Sequence, residues 1–145
     1  SRRNTTDLPS SWINAALDYG YAVMRGACAR ALVAHGMLPS LGLFHSSEQN
    51  AFNLADDLIE PYRPIVDLHV AQQQPSSADA ELLPADKVAL VSLLNVDVAM
   101  PRGQMSVLAS IEQAAESLAR LYDGGSEQVL ELPGLIGLRQ HVFEM

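Results

Sequence analysis

The chain has 145 residues and 48% hydrophobic content, enough for one sizeable hydrophobic core. Its single cysteine, Cys28, excludes an internal disulfide framework, and no apolar run approaches the length of about twenty residues that a membrane span needs. Because no signal peptide is recognisable either, the sequence predicts a cytoplasmic protein without membrane contacts. The formal net charge of -8 argues against nucleic-acid binding by this chain alone, since basic patches usually drive such binding.

The first predicted element is a long helix. Pro9 followed by two serines is typical of a helix start, and Gly36 is typical of a stop in the left-handed conformation. Between them, apolar and small residues recur at helical spacing: Ile13, Ala16, Leu17, Gly20, Met24, Ala27, Ala31 and Leu32. This stripe predicts the central core helix, with small residues where a neighbouring helix approaches closely. We expect Cys28 to be a buried hydrophobe, and one of Tyr19 and Tyr21 to pack while the other forms a hydrogen bond.

Prolines and glycines divide the rest of the chain into further helices. Pro39 and Gly42 predict a compact bend that presents His45 before a second helix at residues 50–60, and Pro61 bends that helix or starts another. The remaining predicted segments are a helix opened by Pro64, an exposed linker at 72–81, helices at 84–95 and 104–122, and an extended segment at 128–132. The sequence thus predicts an all-α fold, a mainly helical bundle, in a single domain spanning residues 1–145.

The stretch from His45 to Glu60 concentrates the metal-binding chemistry of the chain. If residues 51–60 are helical, Asp57 and Glu60 are three positions apart and project from one face, where their carboxylates can share a cation. With His45 as a third ligand, two hard carboxylates and one imidazole favour Mn²⁺ or Mg²⁺ over zinc. Asp56 ranks last and is expected to orient the ligands. The alternative interpretation is a solvated acidic helix face with a histidine satisfied in the core.

Three motifs in the first half of the chain resemble those of the CRISPR-adaptation integrase family, the first Cas protein, in its type II-like branch. They are the Tyr-Gly-Tyr helix from Asn14 to Ala22, the Gly-x-x-His turn from Gly42 to His45, and the Asp-Leu-hydrophobic-Glu-x-x-Arg-Pro helix from Asp57 to Pro64. The later stretches KVALVSLLNVDV, SLARLYDGG and VLELPGL are also similar to that branch, and the resemblance is patchiest at 71–83. Two positions depart from the usual pattern, Asp18 and Gly26.

The resemblance implies a metal-dependent DNA endonuclease and integrase, of prokaryotic origin, that inserts spacers into a CRISPR array by attack of a DNA 3′-hydroxyl. It implies His45, Glu60 and Asp57 as the catalytic metal ligands. The implied partners are double-stranded DNA, as prespacer and repeat, a small companion adaptation subunit, and a second copy in a homodimer. It also implies a glutamate ligand and an N-terminal β-rich domain upstream of this sequence. We therefore expect the chain to be the C-terminal helical catalytic lobe, inactive on its own.

The arginines of the first half are the candidates for substrate contact. Residues 1–73 contain seven acids and five arginines, for a net charge of -2, whereas residues 74–145 have a net charge of -6. A guanidinium binds phosphate through two parallel hydrogen bonds, and the candidates are Arg2, Arg3, Arg25, Arg30 and Arg63. Arg63 is favoured because it follows Glu60 by three residues. For Arg25 and Arg30, a structural ion pair or a solvated helix surface is an equal alternative.

Two other functions remain open at the level of sequence. One is a non-catalytic helical domain that binds companion subunits in a larger complex, with the acidic helix as a solvated face. The other is a general metal-dependent nuclease without integrase specificity. The first predicts no response to metal, and the second predicts DNA cutting without strand joining.

Overall fold

The computed structural model describes residues 7–37, 54–75, 81–122 and 130–134, with the side chains of 7–10 and 122 left out. Its helices are α1 (Asp7–Ala34), α2 (Arg63–Ala71), α3 (Pro84–Val91) and α4 (Val107–Tyr122). A helical segment at 54–59, which we call the acidic segment, runs through a 3₁₀ turn, Glu60–Tyr62, into α2. A second 3₁₀ turn, Ser92–Asn95, follows α3. Two short strands, β1 (Asp97–Met100) and β2 (Gly103–Ser106), complete the described part. The prediction of a mainly helical fold is confirmed.

Helix α1 begins earlier than predicted and ends where predicted. It starts at Asp7, so the predicted start at the serines after Pro9 is wrong. Pro9 is accommodated because the first turn of a helix has no intrahelical partner for its N–H groups. At the other end Gly36 has a φ of +87°, and the Met37 N–H donates to the Leu32 carbonyl at 3.0 Å. This is the expected glycine-terminated cap.

The core is built around α1, which contacts α2, α3 and α4. Gly20 lies where α2 comes closest, because a Cβ atom added there would be 2.5 Å from Cγ1 of Val66. The predicted stripe is buried at most positions, although Ile13 is exposed and Trp12 takes its place in the core. Cys28 is fully buried, as predicted, and burial raises the pKa of its thiol to about 12.

Tyr62 lies in the 3₁₀ turn that follows the acidic segment, and it connects this turn to α4. Its hydroxyl lies 2.8 Å from Oγ of Ser110, and both side chains are fully buried. Because the Ser110 hydroxyl donates to the Val107 carbonyl at 2.8 Å, the Tyr62 hydroxyl is the donor in this pair. Burial raises the pKa of Tyr62 above its ordinary value, which keeps the phenol protonated. The turn that carries Glu60 is thereby anchored in the core.

The predicted helix at 104–122 is wrong in its first three residues, which belong to β2. Val98 pairs with Met105 and Ala99 pairs with Gln104 in an antiparallel hairpin. Alternate side chains of β1 are buried, a strand pattern, and Gly103 has a φ of +128° that a helix cannot contain. The helix at 84–95 is confirmed as α3 and its 3₁₀ turn.

The segment 130–134 lies against this hairpin. The Gly134 N–H donates to the Ala99 carbonyl at 2.8 Å, and the Glu131 N–H donates to Oγ of Ser117 on α4 at 3.0 Å. The part of the predicted extended segment that the structure describes therefore runs along the protein surface between β1 and α4. The predicted bend at Pro39 and Gly42, which presents His45, lies outside the described residues. None of the described helices is long and apolar enough to cross a membrane.

Candidate functional site

The acidic segment places its predicted carboxylates on the outside of the fold. Ala55, Leu58 and Ile59 are buried and hold the segment against the core, whereas Asp57 and Glu60 are exposed. Pro61 occupies the start of the 3₁₀ turn, so Glu60 sits at the junction between two helical runs, as predicted for a proline at this position. The two exposed carboxylates are thus presented to solvent three residues apart, a spacing that suits a shared cation.

Glu60 is paired with the arginine that was predicted to bind phosphate. Nε of Arg63 donates to Oε2 of Glu60 at 2.8 Å, across an i to i+3 spacing. The side chains are 39% and 63% exposed respectively, so water and salt weaken the pair. Glu60 therefore already has a counterion in the described structure, and that counterion is replaceable.

Asp56 forms a similar pair that crosses between elements. Nε of Arg25, on α1, lies 2.8 Å from Oδ1 of Asp56 on the acidic segment, and both side chains are about half exposed. The pair fastens the acidic segment to the central helix. Of the roles predicted for Arg25, the structural ion pair is therefore present. The side chain of Arg30 lies along α1, and its Nη1 would be 3.3 Å from a Cβ atom added at Gly26.

Tyr21, which lies on α1, also contacts Arg63. The guanidinium carbon of Arg63 lies 4.7 Å from the centroid of the Tyr21 ring, within the range of a cation–π contact. The Tyr21 hydroxyl donates to Oδ1 of Asp67 on α2. Burial first, and then this hydrogen bond, raise the pKa of Tyr21. Tyr19, by comparison, has Nζ of Lys87 at 5.9 Å from its ring centroid. Of the two tyrosines, Tyr21 is therefore the one that forms the predicted side-chain hydrogen bond.

Sequence reasoning missed the part played by Tyr21 and Asp67. A weak signal for Asp67 was present, because it follows Arg63 by four residues in a predicted helix and so shares its face. Nothing local joins Tyr21 to either residue, since the contact spans 46 positions in the chain. The unit formed by Glu60, Arg63, Tyr21 and Asp67, which we call the Arg63 cluster, joins the acidic turn, α1 and α2.

The complete predicted metal site is not represented in the described structure. His45 lies outside the described residues, as do Arg2 and Arg3. Within the parts of the chain that are described, no three histidine, cysteine, aspartate or glutamate side chains form a metal-binding group. The donors that are described, Asp57 and Glu60, are hard oxygen ligands of the kind that Mn²⁺ and Mg²⁺ prefer. The set of His45, Asp57 and Glu60 stays a prediction.

Comparison with known proteins identifies one family and several relatives. Residues 1–75 match the family model described as CRISPR associated protein Cas1. The chain is 44% identical over 134 residues to a CRISPR-associated endonuclease Cas1 from Neisseria meningitidis serogroup C, which covers 91% of this chain and 44% of that protein. It is 42% identical over 65 residues to a CRISPR-associated endonuclease Cas1 from Pyrobaculum aerophilum, covering 45% of this chain and 22% of the relative.

A further relative, a CRISPR-associated endonuclease Cas1 from Thermus thermophilus, is 40% identical over 60 residues, covering 41% of this chain and 19% of that protein. The chain therefore spans less than half the length of each of these relatives. No solved structure matches the chain.

Proposed function

Because the chain belongs to the CRISPR associated protein Cas1 family, we propose that it is the helical catalytic part of a metal-dependent DNA endonuclease and integrase that inserts spacers into a CRISPR array. The observation that carries this proposal is the exposed pair of carboxylates, Asp57 and Glu60, on a segment held against the core by buried neighbours and by the Tyr62 anchor. Sites on rigid elements hold their ligands more accurately than sites on loops. The names of the relatives support the nuclease class.

The residues assigned to the metal are His45, Glu60 and Asp57. Two exposed carboxylates with hard oxygens fit Mn²⁺ or Mg²⁺ by donor chemistry, and His45 adds a nitrogen donor from outside the described residues. A divalent cation bound there supplies Lewis acidity toward a phosphodiester oxygen and toward the attacking hydroxyl. Asp56, paired with Arg25 at 2.8 Å, is assigned to positioning the segment.

In the proposed reaction, a DNA 3′-hydroxyl attacks a phosphodiester phosphorus at the repeat boundary. A new P–O bond forms, the original P–O3′ bond breaks, and the departing 3′ oxygen takes up a proton equivalent to the one that the attacking hydroxyl loses. Arg63 is assigned to the phosphate oxygens, where a guanidinium offsets charge in the transition state. Hydrolysis follows the same course with water as the nucleophile.

The proposed partners follow from the same assignment. They are double-stranded prespacer and repeat DNA, the small companion adaptation subunit, and a second copy of the protein. The chain carries a net charge of -8, so DNA binding requires the acidic face to be neutralised by metal or complemented by basic surface from elsewhere in the assembly.

Thermal melting with increasing Mn²⁺ tests the metal assignment. Metal that binds only the native state stabilises it, by about 1.4 kcal/mol when the metal concentration is ten times the Kd. The melting temperature therefore rises with metal concentration. We expect Glu60→Ala to abolish the rise and Asp56→Ala to retain most of it, because Asp56 is not assigned as a ligand. An unaltered rise in Glu60→Ala would sink the assignment.

A DNA assay tests the catalytic assignment. For this chain alone, incubated with branched DNA and Mn²⁺, we expect no cleavage, because His45, Asp57 and Glu60 lack the further glutamate that the resemblance implies. Cleavage that disappears in His45→Ala would defeat this expectation. When an N-terminal portion that carries such a glutamate is supplied, strand joining in addition to cutting would separate an integrase from a general nuclease.

The second candidate function is a non-catalytic interaction domain. It is favoured by the pairing of both Asp56 and Glu60 with arginines, since acids that already have counterions need no metal. This alternative predicts a melting temperature that does not respond to Mn²⁺, and the titration above therefore discriminates between the two.

A further inference from the structure

Arg63 is held in the described structure by two different kinds of contact. Its Nε–H donates to the Glu60 carboxylate at 2.8 Å, while its guanidinium carbon lies over the Tyr21 ring, 4.7 Å from the ring centroid. The hydroxyl of the same ring donates to Asp67 on α2, the helix that carries Arg63. The ring contact and the hydrogen bond from Nε to Glu60 involve different atoms of the guanidinium. One of them can therefore be lost while the other remains.

We propose that Arg63 is a counterion which Glu60 releases on binding a divalent cation, and that Tyr21 keeps the released guanidinium in position for a DNA phosphate. The inference rests on the proposed function, because it takes Glu60 to be a metal ligand. An exposed ion pair is weak, so its replacement by a cation costs little. A bound cation also repels the neighbouring guanidinium, which favours its departure from the carboxylate.

Metal binding at Glu60 and DNA binding at Arg63 are therefore coupled through residues of this chain. Without metal, the donors of Arg63 face a carboxylate and the Glu60–Arg63 pair is neutral. When Glu60 turns to the metal, those donors become available in the plane that a phosphate can meet with two hydrogen bonds. By reciprocity, phosphate bound to Arg63 also strengthens metal binding at Glu60. Tyr21 is in this scheme a positioning residue that acts through Arg63.

The first test uses a pair of variants that each remove one carboxylate charge from the same exposed face. Glu60→Gln removes the partner of Arg63, whereas Asp57→Asn removes a neighbouring charge and leaves the Glu60–Arg63 pair in place. The measurement is the affinity for a short oligothymidylate at low salt with a chelator present. We expect Glu60→Gln to bind about two- to fivefold more tightly than Asp57→Asn, the range that an exposed pair is worth.

The advantage of Glu60→Gln should disappear when Arg63→Gln is added to both variants. Equal affinities of Glu60→Gln and Asp57→Asn, an absence of measurable binding by both, or an advantage that survives Arg63→Gln each overturn the inference. Because this comparison contains no metal, its outcome is separate from the Mn²⁺ melting experiment that tests the proposed function. The inference can therefore fail while metal binding at Glu60 succeeds, and the two failures are told apart by which experiment gives the negative result.

The second test follows Arg63 itself. In an NMR titration with Mg²⁺, the Arg63 Nε–H signal should move toward its position in Glu60→Gln. The Nε–H signal of Arg120, which pairs with Glu116 and Glu131 on α4 and the segment 130–134, should stay in place. Backbone signals of the acidic segment report whether Mg²⁺ has bound. If those signals move and the Arg63 signal does not, Glu60 binds metal without releasing its arginine and the inference is wrong.

A matched pair of variants tests the role of Tyr21. In the Glu60→Gln background, Tyr21→Phe keeps the ring and should retain oligothymidylate binding, whereas Tyr21→Leu should weaken it about two- to fivefold, the worth of an exposed cation–π contact. Tyr19→Leu is the control, because its ring lies near Lys87 and not near Arg63. Equal losses in Tyr21→Leu and Tyr19→Leu would indicate a general effect on α1 and would exclude a positioning role for Tyr21.

Discussion

At the scale of single residues, the environment of a side chain decides what its chemistry can do. Glu60 and Glu131 are both carboxylates paired with arginines, yet the side chain of Glu60 is 63% exposed and that of Glu131 is 14% exposed. The first can exchange its partner for another cation at little cost, and the second cannot. Exposure therefore separates a carboxylate suited to binding from one that is built into the fold.

His69 gives a prediction about pH. Burial lowers the pKa of this half-buried imidazole below its ordinary value of 6.5. Above that value the imidazole is neutral in both the folded and the unfolded chain. As the pH falls through 6.5, the unfolded chain takes up a proton first, so His69 contributes a loss of stability until the folded pKa is passed.

The measurement compares the wild type with His69→Gln, which cannot titrate. Thermal unfolding at about pH 7.5 and about pH 5 should show a larger decrease for the wild type than for the variant. Asp86 lines the same cavity as His69, and its carboxylate accepts a hydrogen bond from the Leu83 N–H at 2.8 Å. If Asp86 instead stabilised the charged imidazole, the wild type would lose less than the variant, and the assignment of burial as the cause would be wrong.

At the scale of helices and strands, the fold depends on how closely neighbouring elements approach. Helix α1 contains two glycines in its interior with opposite surroundings. A Cβ on Gly20 would meet Cγ1 of Val66 at 2.5 Å, whereas a Cβ on Gly26 would meet only the end of the flexible Arg30 side chain at 3.3 Å. Gly20 is required by the packing of α2 on α1, and Gly26 is not.

This difference predicts opposite effects of the same substitution. Gly20→Ala should destabilise the protein by about 1 to 3 kcal/mol, because α2 must move away from α1. Gly26→Ala should stabilise it by up to about 1 kcal/mol, because alanine loses less backbone entropy in a helix. Urea unfolding of the two variants measures both effects. A stabilised Gly20→Ala would mean that the two helices are further apart than described.

At the scale of the whole molecule, ion pairs connect parts of the chain that lie far apart in sequence. Oε2 of Glu131 lies 3.1 Å from Nη2 of Arg102 in the hairpin turn and 3.5 Å from Nη2 of Arg120 on α4. Its backbone N–H donates to Ser117. The carboxylate therefore holds the segment 130–134 against both the hairpin and α4.

Removing that carboxylate should cost more than removing an exposed one from the same arginine. Glu131→Gln leaves two guanidinium groups without their shared counterion, and we expect a loss of about 1 to 3 kcal/mol. Glu116→Gln, whose partner is also Arg120 at 3.4 Å but whose side chain is 44% exposed, is the control. We expect it to cost less than about 0.5 kcal/mol. Equal losses in urea unfolding would show that burial does not strengthen the Glu131 pairs.

Much of the candidate site was predictable because its signals are local. Asp57, Glu60 and Arg63 occur within seven positions, and Pro61 predicted a junction at Glu60 that the structure contains. The hairpin was not predicted, because the residues of β2 are compatible with a helix until β1 is available to pair with them. The start of α1 was also misplaced, since the first turn of a helix tolerates the proline that was taken as its boundary.

The sequence by itself determined the helical class, the end of α1 at Gly36, and the family, because helix periodicity, glycine caps and motif spacing are properties of neighbouring residues. Only the tertiary structure decided which acid each arginine meets. Arg25 reaches Asp56, and Arg63 rests on Tyr21, because the acidic segment and α2 pack against α1 with one particular orientation. Contacts between distant residues depend on how whole helices dock, and no local pattern specifies that geometry.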